Sequence, residues 1–174
     1  MASFMVPAGA AAVQGYSSGN ASEGGSLVYI VRNSSRRFRD VNVAYSEGYV
    51  NFLGCVSGPD MGAMGQHLVN FALVGDGILD PTQPEVLVYK PRPNGTLRLV
   101  AVEFLALYDV WHANNDAPPV LEGQSLFLVN SPNRFGLPAF YTMHVWAFEY
   151  NPNGAFAMWN PRVSCAHFGP YLAE

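Results

Sequence analysis

Three residues combine the chemistry of a site with an apolar setting: His67, Glu103 and His144. Two imidazoles and one carboxylate can hold a divalent metal ion and leave coordination positions open. The same groups can instead form a metal-free acid–base set in a dry pocket, where burial moves both kinds of pKa toward neutrality. Their spacing follows no recognised ligand motif, so the reading rests on residue type and surroundings. Structural roles compete with it. A core histidine needs a hydrogen-bond partner but no reaction. Glu103 could serve a salt bridge with Arg98, Arg134 or Arg162. Other chemistries lack their signatures: the chain has no dinucleotide fingerprint and no CxxC or HExxH pair.

The elements that must position these residues read mainly as strands. In Ala139–Tyr150, Phe140, Thr142, His144, Trp146, Phe148 and Tyr150 share one parity, and Tyr141, Met143 and Val145 the other. Both parities are apolar, which predicts a strand covered on both faces. Asn151-Pro152-Asn153-Gly154 ends it, and Ala155–Asn160 is expected to return as a further strand. Glu85–Tyr89 and Thr96–Leu107 read as a hairpin across Asn94-Gly95. Along its second arm, Leu97, Leu99, Ala101, Glu103, Leu105 and Leu107 form one row, expected to face the interior. A carboxylate in that row must be paired, protonated or metal-bound. His67 lies on Gln66–Leu73, beside Val69 and Phe71.

Loops should close a pocket over this sheet. The Gly- and Met-rich run Tyr49–Gly65 is not followed by GK[ST], which excludes a phosphate loop. Its glycines suit positive φ or close backbone approach around a pocket mouth. Asp109–Gly123 is long enough to be a lid or binding loop. The expected pocket wall is Met61, Met64, Trp111, Tyr141, Trp146 and Phe148.

At the N-terminus, residues 1–25 read as a flexible arm and residues 26–174 as one globular domain. Ser26–Val31 could start a helix or form a short strand. Ser34 or Ser35 is the expected N-cap of a helix reaching about Glu47, with Phe38, Val41, Ala44 and Tyr45 as its apolar stripe and Gly48 as its stop. The expected fold is α+β: one N-terminal helix on a curved, mainly antiparallel sheet of six or seven strands, with a closed or half-closed barrel as the alternative.

Composition narrows the function. The chain is 49% hydrophobic and 13% charged with net charge −4, and its only dense cationic run is Arg36, Arg37 and Arg39. Nucleic-acid binding is therefore not expected. No apolar run reaches the ~20 residues of a membrane span, and no signal peptide is evident. Cys55 and Cys165 are the only cysteines. Read from the residues, they are either two buried thiols or a disulfide closing most of the domain, worth roughly 4–5 kcal/mol.

The segments CVSGPDMGAMGQHLVN, PEVLVYKP…GTLRLVAVEF and FYTMHVWAFEYNPNGAFAMWNPRVSC resemble a family of small uncharacterised proteins, many of them bacterial and exported. The resemblance runs from about Arg36 to Cys165. It implies no activity and lends no catalytic residue. It does imply that Cys55 and Cys165 pair, as in relatives that live in an oxidising space. The compartment is then extracellular or otherwise oxidising; without the bond it would be cytoplasmic.

The expected function is a small pocket-forming enzyme of the isomerase, cyclase or lyase type, acting on an apolar oxygenated molecule. It would work without a cofactor or with one divalent metal. A non-catalytic ligand-binding or structural protein is the alternative. The expected partner is a small-molecule ligand, with no nucleic acid and no membrane, and a homodimer is left open.

Overall fold

The structure is a computed structural model that describes residues 21–58 and 60–169. Six antiparallel strands form one curled sheet, a half-barrel, in the order β1-β2-β3-β4-β8-β7. They are β1 (Val50–Gly58), β2 (Gly62–Val69), β3 (Val86–Pro91), β4 (Leu97–Leu107), β7 (Phe127–Val129) and β8 (Phe140–Val145). β5 (Val120–Leu121) and β6 (Gln124–Ser125) pair separately. The helices are α1 (Ala21–Ser34), α2 (Val41–Ser46), α3 (Phe71–Asp76) and α4 (Tyr108–His112). The α+β class and the curved antiparallel sheet agree with the sequence reading.

The N-terminal helix lies earlier than expected. Residues 1–20 of the expected arm lie outside the described residues, and residues 21–25 form the start of α1. Leu27 and Val31, one turn apart, are fully buried in the helix-side core, and their docking carries the helix back over that stretch. The helix expected from Ser34 or Ser35 to Glu47 is instead a 3-10 turn, Arg36–Arg39, followed by α2. Asp40 breaks it: its backbone is extended and its carboxylate accepts from Asn42 N at 3.0 Å, a local bond that competes with continuing the helix. Gly48, at φ +89°, follows the end of α2.

The expected pocket-mouth loop Tyr49–Gly65 is largely the β1–β2 hairpin. Its glycines act as the sequence suggested. Gly65 has φ +120°, and a Cβ there would lie 2.6 Å from the Tyr89 carbonyl oxygen, so no other residue lets β2 and β3 approach this closely. The β3–β4 hairpin turns at Asn94-Gly95: Arg92 N donates to Thr96 O, and Gly95 sits at φ +76°.

Register decides which residues face the site. Along β3–β4, Val88 pairs with Ala101 and Tyr89 with Leu99, which leaves Val100 as a bulge. The bulge splits the expected row. Leu97 and Leu99 join the helix-side core, while Ala101, Glu103, Leu105 and Leu107 face the concave side. Strand β8 stops at Val145, and Ala155–Asn160 is a loop rather than the expected strand. Its polar groups are satisfied without a ladder: Phe148 N donates to Val100 O, Trp146 N to Ala155 O, and Asn151 Nδ2 to Trp159 O.

The sheet thus carries two cores. Leu27, Val31, Phe38, Leu68, Tyr89, Phe104 and Met143 pack between its outer face and the helices. Val69, Val86, Val88, Leu105, Phe140 and Trp146 pack on its concave face. The β8 expectation of burial on both faces is met, since Phe140–Val145 is buried throughout.

Cys55 of β1 is disulfide-bonded to Cys165, with Cα atoms 5.7 Å apart and a sequence separation of 110. The pair fits an oxidising compartment. Among the described residues no helix is long and apolar enough to cross a membrane. Thiol titration of unfolded, unreduced protein is expected to find no free cysteine. Reduction should lower unfolding stability by roughly 4–5 kcal/mol, the chain-entropy value for a loop of this size. Two free thiols per chain would refute the bond.

Candidate functional site

Three separate strands deliver the three candidate residues to one point on the concave face. His67 lies on β2, Glu103 on β4 and His144 on β8. Glu103 and His144 are direct cross-strand partners. His67 pairs with Val88 of β3, and Val88 pairs in turn with Ala101 of β4, two residues before Glu103. Strands β2 and β8 are three steps apart, which in a flat sheet is about 14 Å. Their imidazole centroids nevertheless lie 5.9 Å apart, with the rings at 90°. The curl of the half-barrel, together with small and branched side chains on the intervening strands, closes that gap.

Glu103 sits between the imidazoles. Its Oε2 is 3.6 Å from His67 Nε2 and 3.9 Å from His144 Nε2. Its Oε1 accepts the hydroxyl proton of Thr142, from the neighbouring strand. All three residues are buried, exposing 4%, 6% and 3% of their surface for His67, Glu103 and His144. The imidazoles are under-satisfied: His67 Nδ1 and His144 Nε2 are buried without a hydrogen-bond partner. The backbones of Gly65 and Gly54 adjoin His67 and favour its proton, yet neither has hydrogen-bonding geometry with Nδ1.

Burial dominates the electrostatics. Desolvation lowers His67 to about 4 against the attraction of Glu103, and lowers His144 to about 4 as well. Both rings are therefore neutral at pH 7, the form that binds metals. Desolvation also raises the Glu103 carboxyl, opposed by His67 and by the Thr142 hydroxyl.

A salt bridge does not account for Glu103. Arg98 pairs with Glu149, Arg134 donates to Ser57 O, and Arg162 lies over the Tyr150 ring. No lysine or arginine among the described residues is ion-paired to Glu103.

One ligand atom from each residue lies within 4.8 Å of the others, so this buried group could hold a metal ion. Around zinc at 2.0–2.1 Å, ligand atoms stand about 3.3 Å apart. The two contacts of Glu103 are within about 0.6 Å of that, and the imidazoles must close by up to about 1.5 Å.

The cluster adjoins a cavity of about 170 Å3. Met64 lines it, as expected, with His67, Glu103, Thr142 and His144. The other expected wall residues lie elsewhere. Met61 is exposed at the β1–β2 turn. Trp111, Tyr141 and Phe148 pack in the helix-side core, Tyr141 because it has the parity opposite to His144. Trp146 is on the concave side and stacks on His144 at 5.9 Å, behind the wall. The lid expected from Asp109–Gly123 begins as α4 and holds Trp111 by a bond from Nε1 to Ala117 O.

Compared with family models, curated proteins and solved structures, the chain matches none. The resemblance drawn from its three segments therefore assigns no residue a role.

Sequence reasoning missed several site residues. Thr142 was legible, since it shares a face with His144. The apolar wall was not: Phe52, Leu53, Phe71, Phe135 and Phe140 come from four separate elements. Leu53 is unusual. It holds φ +63° beside Gly54 at a bulge opposite His67, a conformation that costs a branched residue about 1–2 kcal/mol. Leu53→Gly should relieve that strain and lose some apolar burial, a net change under about 1 kcal/mol. Leu105→Ala, in the same wall, should cost about 3 kcal/mol. Equal losses in urea melts would show that no strain is held at Leu53.

Proposed function

We propose that the protein is a metal-assisted enzyme in which His67, Glu103 and His144 hold one divalent transition-metal ion at the cavity wall. The observation that carries this reading is the pair of buried imidazoles with unpartnered nitrogens beside a carboxylate that no cation neutralises. Buried polar groups without partners are uncommon in native proteins. An ion beside Glu103 Oε2 would engage Nε2 of both rings and the carboxylate, while His67 Nδ1 would stay beside the Gly54 and Gly65 backbones. Two histidines and one carboxylate leave positions open for substrate or water. An ion there would polarise a bound oxygen or sharply lower the pKa of a bound water. The reactions that fit are isomerisation, cyclisation or elimination on a small apolar oxygenated molecule.

Metal-stripped, oxidised protein is expected to bind one zinc per chain with a dissociation constant below micromolar. His67→Ala and His144→Ala should each weaken binding at least tenfold. Calorimetric titration that finds no saturable zinc uptake would sink the metal centre.

The raised Glu103 carboxyl beside a neutral His67 favours a second reading, a metal-free acid–base pair. Activity that persists in chelator would favour it over the metal.

A further inference from the structure

The cavity also limits what the site can admit. Among the described residues, every one lining it is apolar apart from His67, Glu103, Thr142 and His144, and no lysine or arginine reaches its wall. The polar four form one contiguous group through the contacts of Glu103. We infer that the cavity takes a small, mostly hydrocarbon molecule, a single ring or a short chain, that carries its oxygen at one end and enters oxygen-first. The oxygen end of this inference rests on the His–Glu–His reading; the hydrocarbon end rests on the wall and the volume.

Volume sets the size. A dry engineered cavity of about 150 Å3 admits benzene. A cavity of about 170 Å3 therefore suits a molecule of that size or slightly larger, about six to ten non-hydrogen atoms. Charge sets the rest. A carboxylate, phosphate or ammonium held away from the polar group would lose its water against Phe, Leu and Val with no partner in return. At the polar end, a divalent ion with ionised Glu103 and two neutral histidines carries net charge +1. A single negative oxygen, such as an alkoxide, phenolate or enolate, neutralises it, while an ammonium head is repelled. The fitting ligand is thus uncharged in solution, or acidic only at its head. The mouth agrees: Phe71 is 51% exposed at the cavity edge, and Phe52 packs edge-on against it at 5.2 Å. A hydrocarbon tail leaving the cavity meets aromatic surface.

Two ring ketones that differ only at the far end test this. 4-Methylcyclohexanone and 4-oxocyclohexanecarboxylate are titrated into zinc-loaded and chelator-treated protein, followed by NMR shift changes. The methyl ketone is expected to bind at least tenfold tighter than the carboxylate in both forms, and tighter still with zinc. Leu105→Phe, which narrows the cavity, should weaken the methyl ketone at least tenfold and leave one zinc per chain. Val129→Phe, at a half-buried wall position, makes the same test if Leu105→Phe does not fold. Equal affinity for the two ketones, or full affinity in the narrowed variant, overturns the inference. Zinc uptake without any ketone binding overturns it and leaves the metal centre standing. Selective ketone binding without zinc uptake supports the hydrocarbon pocket and overturns the metal centre.

Discussion

Glu103→Gln is expected to lower zinc affinity by about a hundredfold or more while the fold survives. The amide keeps the side chain's shape and can still accept the Thr142 hydroxyl proton, so the contact of that oxygen persists. It offers no charge to an ion held by two neutral imidazoles. Stability should move the other way. Burial raises the Glu103 carboxyl, so the ionised acid weakens the metal-free fold at neutral pH, and the amide removes that cost. Calorimetric zinc titration and urea melts of metal-free protein check both halves. A structural ion pair predicts the reverse, intact metal behaviour and a loss of about 3–5 kcal/mol from the orphaned partner.

Glu85 should give the metal-free protein an inverted pH profile. This residue is 1% exposed, and one of its carboxyl oxygens accepts from Leu105 N at 3.0 Å. That amide lies where β3 would continue, but β3 begins only at Val86 and Pro84 has no N–H to extend the ladder. Desolvation raises Glu85 from 4.5 to about 8, against the pull of the Leu105 amide. A raised carboxyl contributes stability that is present below its unfolded value and lost as pH rises through its folded value. His67 and His144, lowered from 6.5 to about 4, lose stability in the other direction, as pH falls below 6.5. The two trends oppose each other from about 4.5 to 6.5, so Glu85 should blunt the rise in stability that the two histidines produce there. From 6.5 to 8 only the carboxyls act, and stability should fall by about 2 kcal/mol from Glu85 alone. Glu85→Gln, which keeps an acceptor for Leu105 N, should remove that part of the fall. A wild-type profile that rises from pH 6.5 to 8 in chelator would refute this account.

The parts of the site that were legible in the sequence follow from period-two patterning. His144 and Thr142 share a parity on β8, and Glu103 stood out because its row was otherwise aliphatic. Convergence was not legible, because it depends on sheet curl, which no residue spacing records. Bulges hid more. Val100 moves Leu97 and Leu99 to the opposite face from Glu103, and a strict alternation cannot show that slip. The wall residues Tyr141 and Phe148 were misplaced for the same reason that both faces of β8 are apolar: composition alone does not say which face holds a cavity. Glu85 escaped notice because it stands at a strand end next to proline, where polar residues are usually solvated.

The Leu53–Gly54 bulge has a second effect, on how this protein meets copies of itself. β1 is an outer strand of an open sheet, nine residues long, and such a strand offers unpaired N–H and C=O groups to any passing β segment. Two consecutive residues at positive φ in its middle break the straight row of donors and acceptors. At the other border β7 offers only three residues. A half-barrel that never closes is thereby kept from extending itself, chain upon chain, into a continuous sheet.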